Sequence, residues 1–216
     1  NISSQSGECR IMNIKSKITI IIPTLNRPIS LMKSIEYYKN LPFLVKYFDG
    51  SNKKIKIKIL PKNIKYFHTS NLGLYERLNL SLKHIKTPYV ILGTDDEFYT
   101  YGGLISCLSK LETNKEYISC IGQCIKFFSV NKKLFTSLGY EKNLKNTIYQ
   151  SDYQIRIKKH LQNYAPKYIY SLSRSLYWKK SVKNLISLKF PAFAIGELVF
   201  EISMAFYGKI FMQKKL

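Results

Sequence analysis

The sequence predicts an α/β fold in which a mostly parallel central sheet is flanked by helices. A short β-branched run at residues 18–22 ends at Pro23, which is typical of a strand buried on both faces. Leu31, Ile35 and Tyr38 then recur at spacings of four and three, which places them on one helical face. Strands and helices continue to alternate along the chain, and this order favours a parallel sheet covered on both sides.

The remaining elements follow the same alternation. We predict further strands at residues 45–48, 55–59, 65–68, 89–92, 117–130 and 168–172. Helices are predicted at residues 74–85, 104–111, 152–163 and 198–206. The lysine-, asparagine- and threonine-rich residues 131–150 are predicted to be an irregular insert within a single domain at residues 17–216, and the polar residues 1–16 a leader or linker.

The composition is that of an ordinary globular domain, with 45% hydrophobic residues among 216. No apolar run approaches the roughly 20 residues that a membrane span needs. The four cysteines (Cys9, Cys107, Cys120, Cys124) lack zinc-finger spacing, so we expect free thiols in a reducing cytoplasm. No signal peptide is visible, which also favours a cytoplasmic location, and the start at Asn1 is compatible with a fragment of a longer chain.

The net charge of +22, from 35 basic and 13 acidic residues, has two interpretations. It is either the footprint of an anionic partner or compositional drift toward lysine. Only five of the basic residues are arginine and the lysines are spread along the chain, which favours drift. No nucleic-acid-binding motif is present, so we expect no nucleic-acid partner. A weak peripheral contact with the anionic inner face of a membrane stays open.

Polar clusters follow three of the predicted strands, at the carboxyl ends where parallel sheets bind ligands. The candidate ligand-binding residues in these clusters are Thr24, Asn26, Arg27, Asp49, Ser51, Asp95, Asp96 and Glu97. Arg27 is suited to pairing with a diphosphate, or is a solvated first-turn residue. Asp49 is suited to accepting hydrogen bonds from a base or ribose, or belongs to an ordinary Asp-Gly turn.

The three adjacent carboxylates at residues 95–97 repel one another and need a compensating positive charge. Mg²⁺ or Mn²⁺ typically binds one or two carboxylates together with substrate phosphates. The alternative is that the triplet caps the following helix, where anionic side chains are favoured. The residues alone leave these two interpretations level. No glycine-rich phosphate-binding loop is present.

Taken together, the motifs resemble the family 2 glycosyltransferases of the GT-A type, in particular a bacterial branch that reads T-P-Y-V before a D-D-D-like triplet. The resemblance spans about residues 17 to 210. Its motifs are IIIPTLNRP at 20–28, DGS at 49–51, NLG at 71–73 and TPYVILGTDDEF at 87–98, followed by YSLSR at 170–174 and GEL at 196–198.

The resemblance implies a Rossmann-like GT-A fold and a metal-dependent transferase of hexosyl type with inversion at the anomeric carbon. The expected donor is a nucleotide-diphosphate sugar, with UDP favoured, and the acceptor a glycan or lipid-linked glycan in surface polysaccharide synthesis. Pro23, Thr24 and Arg27 would line the nucleotide pocket and Asp49 would contact the base. Asp95, with Asp96 and Glu97, would correspond to the D-x-D region that holds ribose and Mn²⁺ or Mg²⁺.

For the remaining roles, Arg77 is a second candidate for stabilising the leaving diphosphate. Glu197 would be the catalytic base, kept ionised by the start of the last helix, with Glu201 as the fallback. Two positions depart from the family. Gly93 stands where many members have the first Asp of D-x-D, and Leu198 follows Glu197 in place of a second acid. These departures support an alternative, a degenerate domain that binds a sugar nucleotide or a partner without turnover.

Overall fold

The computed structural model describes residues 17–139, 147–162, 164–188, 190 and 192–213. The predicted leader at residues 1–16 lies outside this range, as does Cys9. Cys107 and Cys120 are buried free thiols and Cys124 is an exposed one.

The described chain contains a seven-stranded sheet, a separate two-stranded hairpin and six α-helices. The strands are β1 (Ile18–Thr24), β2 (Leu44–Asp49), β3 (Ile64–His68), β4 (Tyr89–Leu92), β5 (Tyr117–Ile121), β6 (Cys124–Val130), β7 (Lys133–Gly139), β8 (Leu172–Arg174) and β9 (Lys209–Met212). The helices are α1 (Pro28–Tyr38), α2 (Leu74–Leu82), α3 (Tyr101–Thr113), α4 (Tyr153–Gln162), α5 (Ser175–Ser187) and α6 (Phe193–Tyr207). A 3₁₀ turn occupies Tyr168–Tyr170.

The central sheet has the strand order β3-β2-β1-β4-β8-β5-β9. Every neighbouring pair in it is parallel except the two pairs made by β8, which runs antiparallel to β4 and β5. The predicted fold class, a mostly parallel sheet flanked by helices, is therefore confirmed.

Strand β1 lies in the middle of the core because its β-branched residues are apolar on both faces. Ile18, Ile20 and Ile22 pack in a cluster with residues of α1 and α3. Ile21 faces the other way, into a cluster built from α2, α5 and α6 that includes the fully buried Trp178. The two clusters cover the two faces of the sheet and fix where its carboxyl edge lies.

Several predicted elements are wrong. Residues 55–59 form no strand, although their isoleucines alternate with lysines, because no neighbouring strand pairs with them; Ile55 and Ile57 pack against the core from an extended loop. The predicted strand at 168–172 is a 3₁₀ turn followed by the short β8. The strand-like stretch at 117–130 divides into β5 and β6. Helix α5 and strand β9 were not predicted from the sequence pattern.

The predicted irregular insert at residues 131–150 is also wrong in its first part. Residues 133–139 form β7, which pairs with β6 in an antiparallel hairpin. Asn131 and Lys132 have positive φ angles of 49° and 62°, so they make a tight two-residue turn whose twist suits a hairpin. Residues 140–146 lie outside the described range.

Candidate nucleotide-sugar site

The three predicted polar clusters meet at the carboxyl edge of the sheet. Strand β1 lies between β2 and β4, and its last residue Thr24 is in register with Asp49 at the end of β2. The loop after β4 carries Asp95 and Asp96 to the other side of Thr24. The sheet order thus brings together residues that are about 70 positions apart in the chain.

Arg27 joins the two aspartates of the β4 loop. Its Nη1 lies 2.8 Å from Asp95 Oδ1, and its Nη2 lies 2.6 Å from Asp96 Oδ2. Asp95 is 2% exposed and also accepts a hydrogen bond from the Thr24 hydroxyl. The Arg27 side chain is about half exposed, as is that of Asp96. Arg27 is therefore shared by one buried carboxylate, Asp95, and one exposed carboxylate, Asp96.

The charges shift the pKa values of the exposed partners. The hydrogen bond from Arg27 lowers the pKa of Asp96 below its ordinary value, and the hydrogen bond from the Thr94 hydroxyl acts in the same direction. The hydrogen bond to Asp96 and the charge of Asp95 raise the pKa of Arg27. Asp96 and Arg27 therefore stay charged at neutral pH.

The predicted set of three acidic metal ligands is not brought together. Glu97 is exposed and does not share the Arg27 contact. Among the described residues, no three His, Cys, Asp or Glu side chains converge to hold a metal ion. Helix capping does not explain the triplet either, because α3 begins at Tyr101 and the Thr100 hydroxyl caps it by accepting from Gly103 N at 3.1 Å.

Asp49 and Ser51 form the second part of the site. Asp49 is fully buried; its Oδ1 accepts from the backbone N–H and hydroxyl of Ser51, and its Oδ2 accepts from the Tyr66 hydroxyl at 2.6 Å. Burial, with a smaller contribution from this hydrogen bond, raises the pKa of Tyr66 to about 12. A carboxylate has about four acceptor positions and three are used here, so a ligand donor could reach the fourth only if the turn that covers Asp49 moves.

The loop after β1 is held against Ser51. Asn26 adopts a left-handed conformation with φ of 55°, which asparagine tolerates better than most residues, and its backbone N–H donates to Ser51 Oγ at 2.7 Å. Pro23, in register with Phe48, is half-buried within β1. His68 contacts the Ser51 carbonyl through Nε2 at 2.7 Å. The hydrogen bond from Asn26 to Ser51 thus holds the loop after β1 against the Asp49–Ser51 turn.

Arg77 does not face this loop, and the predicted contact with a leaving diphosphate is not supported. The side chain is 4% exposed and donates to the carbonyls of Thr24, Phe48 and Gly73. These carbonyls belong to the ends of β1 and β2 and the start of α2. Arg77 therefore joins the ends of β1 and β2 to the start of α2 through hydrogen bonds to their backbone carbonyls. The same packing excludes a side chain at Gly50, where a Cβ would lie 3.0 Å from Arg77 Nε.

Gly93, where the resemblance would place an aspartate, packs against Tyr99. A Cβ at Gly93 would lie 3.2 Å from the ring of Tyr99. The Tyr99 hydroxyl in turn donates to the Leu92 carbonyl at 2.5 Å and lies 3.4 Å from the Tyr170 carbonyl. Sequence reasoning missed Tyr99 and Tyr66. The only available signal was the position of Tyr66 near the end of a strand whose neighbours carry site residues.

Glu197 is half-buried on α6, and its predicted ionisation by the helix start is not supported. Helix α6 begins at Phe193, so Glu197 lies beyond its first turn, which contains no acid. Burial and the negative charge of Glu201 raise the pKa of Glu197. The same turn of α6 packs closely on α2, because a Cβ at Gly196 would lie 2.4 Å from the Tyr75 hydroxyl.

Glu201, the fallback base, is fully buried. Its Oε1 accepts from the Ile169 backbone N–H at 2.7 Å, and its Oε2 lies 3.1 Å from His160 Nε2. A carboxylate enclosed in this way cannot reach an acceptor hydroxyl in this conformation. Instead it ties the 3₁₀ turn and α4 to α6.

Comparisons with known proteins identify the fold. No family profile and no curated protein matches the chain. Among solved structures, S. aureus TarS residues 1–349 superposes with a TM-score of 0.59 at 16% identity, covering 92% of this chain and 58% of that one. Its complex with UDP gives a TM-score of 0.60 at the same identity and coverage. Its complex with UDP-GlcNAc gives 0.59 at 16% identity, covering 92% and 56% of the two chains.

The chain therefore shares its fold with TarS. It spans somewhat more than half the length of that TarS fragment. At 16% identity the likeness extends to the fold alone and does not identify a family. As to membranes, no helix in the described ranges is both long enough and apolar enough to cross a bilayer.

Proposed function

We propose that this chain is a metal-dependent glycosyltransferase that moves a sugar from a nucleotide-diphosphate sugar to a glycan or lipid-linked acceptor in surface polysaccharide synthesis. The observation that carries the proposal is the meeting of Asp95, Asp96 and Arg27 with the Asp49–Ser51 turn at the carboxyl edge of the sheet. A UDP-sugar is the favoured donor, since the TarS structures of the same fold contain UDP and UDP-GlcNAc.

The donor set fits a hard divalent cation. Asp95, Asp96 and Arg27 together carry one net negative charge, which repels a diphosphate. Mg²⁺ or Mn²⁺ takes one or two carboxylate ligands and completes its shell with phosphate oxygens and water. Asp95 and Asp96 would hold the ion, and it would supply charge neutralisation for the departing nucleoside diphosphate. Glu97 is less suited to this role, because it does not share the contact that joins the two aspartates.

Other residues of the chain would bind the base and the diphosphate and take the acceptor proton. Asp49 would accept from a base N–H at its fourth acceptor position once the turn that covers it moves, and Ser51 and Asn26 hold the loop against which the nucleotide would rest. Arg27, once released from the carboxylates, would pair with the diphosphate oxygens. During transfer, the acceptor oxygen bonds to the anomeric carbon while the bond from that carbon to the diphosphate oxygen breaks. Glu197 is the candidate that would take the acceptor proton. Attack by the acceptor on the face opposite the departing diphosphate would give inversion at the anomeric carbon.

A binding domain without turnover is the second candidate. Tyr99 fills the space beside Gly93, Leu198 replaces a second acid and Glu201 is enclosed, so only Glu197 remains to act as a base on α6. Nucleotide release separates the two candidates. If Glu197→Gln abolishes release of the nucleoside diphosphate while donor binding persists, the transferase assignment stands. Binding without release by the wild type, across a panel of acceptors, favours the second candidate.

Donor binding is tested first by thermal unfolding with UDP-, GDP-, dTDP- and CMP-sugars, with and without Mn²⁺. A ligand at a hundred times its Kd stabilises the folded state by about 2.7 kcal/mol, which is easily measured. We expect a Mn²⁺-dependent shift with a UDP-sugar that disappears in Asp96→Asn. Asp96 is exposed, so this variant should fold, and the exposed Glu36→Gln is the matched control. No shift with any donor would refute the proposal.

A further inference from the structure

The hairpin β6–β7 is an exposed apolar element that the proposed nucleotide site does not use. Seven large apolar side chains on it are between 45% and 67% exposed: Ile125, Phe127, Phe128, Val130, Leu134, Phe135 and Leu138. Such a concentration of exposed apolar side chains in one element marks an interaction surface.

Both faces of the hairpin are apolar. In the antiparallel register, Phe128 opposes Phe135 on one face, and their rings stack at 5.5 Å. On the other face Ile125 opposes Leu138, and Phe127 lies beside them. A strand normally alternates apolar and polar residues when only one face is covered. Whichever face the hairpin lays on a surface, it therefore presents apolar side chains to that surface.

The charge of the hairpin is entirely positive. Lys126, Lys132 and Lys133 are exposed, and no acidic residue lies between positions 124 and 139. Lys132 belongs to the tight turn at the tip and Lys133 follows it. Each lysine near an anionic bilayer surface contributes about 1 kcal/mol of attraction, so apolar surface combined with lysines fits anionic lipid.

The backbone limits how deeply the hairpin can enter a bilayer. Within the described chain each strand of the hairpin pairs only with the other, so the outer edges keep backbone groups that need water or headgroups. Unsatisfied backbone groups are too costly in the hydrocarbon interior. The lysines at the tip also oppose entry end-on. The hairpin therefore suits the headgroup boundary, where apolar side chains reach acyl chains and lysines reach phosphates.

We propose that the β6–β7 hairpin binds the headgroup region of an anionic bilayer and holds the site edge of the sheet against the membrane. The Phe127 ring lies 6.5 Å from the ring of Phe98, which follows the acidic triplet directly. Membrane binding itself stands on the hairpin alone. Its consequence, that a lipid-linked acceptor meets the Asp95–Asp96 loop at the bilayer surface, rests on the proposed function.

The test is flotation of the protein with phosphatidylcholine vesicles and with vesicles containing one quarter phosphatidylglycerol, without nucleotide. We expect binding only to the anionic vesicles. Replacing Lys126, Lys132 and Lys133 with serine should weaken binding about a hundredfold, since each lysine changes the partition coefficient about fivefold. The control replaces three exposed lysines that precede β3 or β4, at the opposite edge of the sheet (Lys62, Lys83, Lys86), and changes the net charge equally. Equal losses in both triple variants would overturn the proposal.

The apolar contribution is tested by Phe127→Ser/Leu134→Ser, which leaves the Phe128–Phe135 stack in place. The control Ile59→Ser/Leu176→Ser removes side chains that are 86% and 59% exposed, in the segments that precede β3 and follow β8. Only the hairpin variant should lose anionic vesicle binding. If instead the wild type forms a dimer that only the hairpin variant loses, and does not bind vesicles, the hairpin binds a second copy of the chain and the membrane proposal fails.

Leu134→Trp gives a readout that does not depend on loss of binding. The single native tryptophan, Trp178, is fully buried, so a new exposed tryptophan reports on the hairpin. Brominated acyl chains should quench its emission when the bilayer is anionic. Absence of quenching in floated protein would overturn the proposal. The donor-induced thermal shift should be unchanged in every hairpin variant, so failure of membrane binding is distinguishable from failure of the proposed function.

Discussion

Arg27→Ala removes the cation that joins Asp95 and Asp96, and its effect can be worked out from burial. The Asp95 side chain is 3% exposed, and removing the partner of a buried charge costs about 3–5 kcal/mol. Arg27 is 47% exposed, so water replaces part of its contact and lowers this value. We expect a loss of about 2 kcal/mol, or roughly 4–8 °C in melting temperature for a domain of this size.

Manganese should reverse this loss. Without the guanidinium, the two carboxylates offer a divalent ion a site for which no resident cation competes. Mn²⁺ alone should therefore raise the melting temperature of Arg27→Ala more than that of the wild type. The assay is thermal unfolding with and without Mn²⁺ and without nucleotide. The control Lys39→Ala breaks an exposed ion pair with Glu36 and should change stability by less than about 0.5 kcal/mol.

The same variant should change the response to acid. The folded state lowers the pKa of Asp96, so its contribution to stability is present above the ordinary carboxyl pKa and is lost as the pH falls through the lowered value. Arg27→Ala should lose less stability than the wild type below about pH 4. An Arg27→Ala protein that melts like the wild type, gains nothing from Mn²⁺ and keeps the same acid response would refute the description of this cluster.

Three further predictions concern other residues. Arg77→Met removes the guanidinium hydrogen bonds to the carbonyls of Thr24, Phe48 and Gly73, although Thr24 and Gly73 keep backbone donors in Gly50 N–H and Arg77 N–H. It should destabilise the fold by about 1–3 kcal/mol in denaturant unfolding, while the Kd of the folded protein for the sugar-nucleotide donor changes by less than about threefold. A large change in this Kd would show that Arg77 contacts the ligand. Gly93→Ala places a Cβ 3.2 Å from the Tyr99 ring and should destabilise by about 1 kcal/mol in the same assay, and a neutral result would mean that the ring moves freely. Burial lowers the pKa of Lys167 to about 8, so this residue alone adds a rise in stability of at most about 2 kcal/mol between pH 8 and 9.5. The raised pKa of the Cys120 and Cys124 thiols acts in the opposite direction in both proteins, so the measured quantity is the difference in slope between the wild type and Lys167→Met. An identical slope in both proteins would contradict this assignment.

Local pattern predicted the fold where residue type reports burial directly. Strands β1 and β4 lie inside the sheet and are buried on both faces. Their continuous runs of apolar residues therefore indicate burial without any knowledge of the neighbouring strands. Residues 55–59 show the limit of this reasoning. Their alternation of isoleucine and lysine matches a strand, but a strand also needs a neighbour to pair with, and the local sequence does not specify one.

The hairpin illustrates the opposite error. Lysine and asparagine at residues 131–133 suggest irregular structure, yet two residues with positive φ suffice to reverse the chain and start β7. Because its apolar side chains are exposed on both faces, the hairpin also breaks the rule that exposed strands are polar on one side. The alternation of apolar and polar residues identifies a strand that covers a core with one face. It does not identify a strand whose apolar side chains are exposed for contact with lipid or with a partner.

The sequence predicted which edge of the sheet carries the candidate site, but not which side chains contact one another there. Asp49, Asp95 and Arg27 meet because parallel strands end at one edge, which the strand order predicts. Arg77 and Glu197 could not be assigned in this way. Whether an arginine faces a ligand or backbone carbonyls depends on which strand ends surround it. Whether a glutamate lies in the first turn of a helix depends on where that helix begins, and α6 begins five residues before the predicted residue 198.

The most direct test of the nucleotide site is the location of bound Mn²⁺ in the presence of UDP. Paramagnetic broadening of assigned backbone amide signals reports which residues lie close to the ion. We expect the signals of residues 24–27, 49–51 and 93–98 to broaden when UDP and Mn²⁺ are added together, and Asp96→Asn to abolish the effect. Broadening confined to another part of the chain, or no broadening with UDP present, would contradict the assignment of this edge of the sheet as the nucleotide-sugar site.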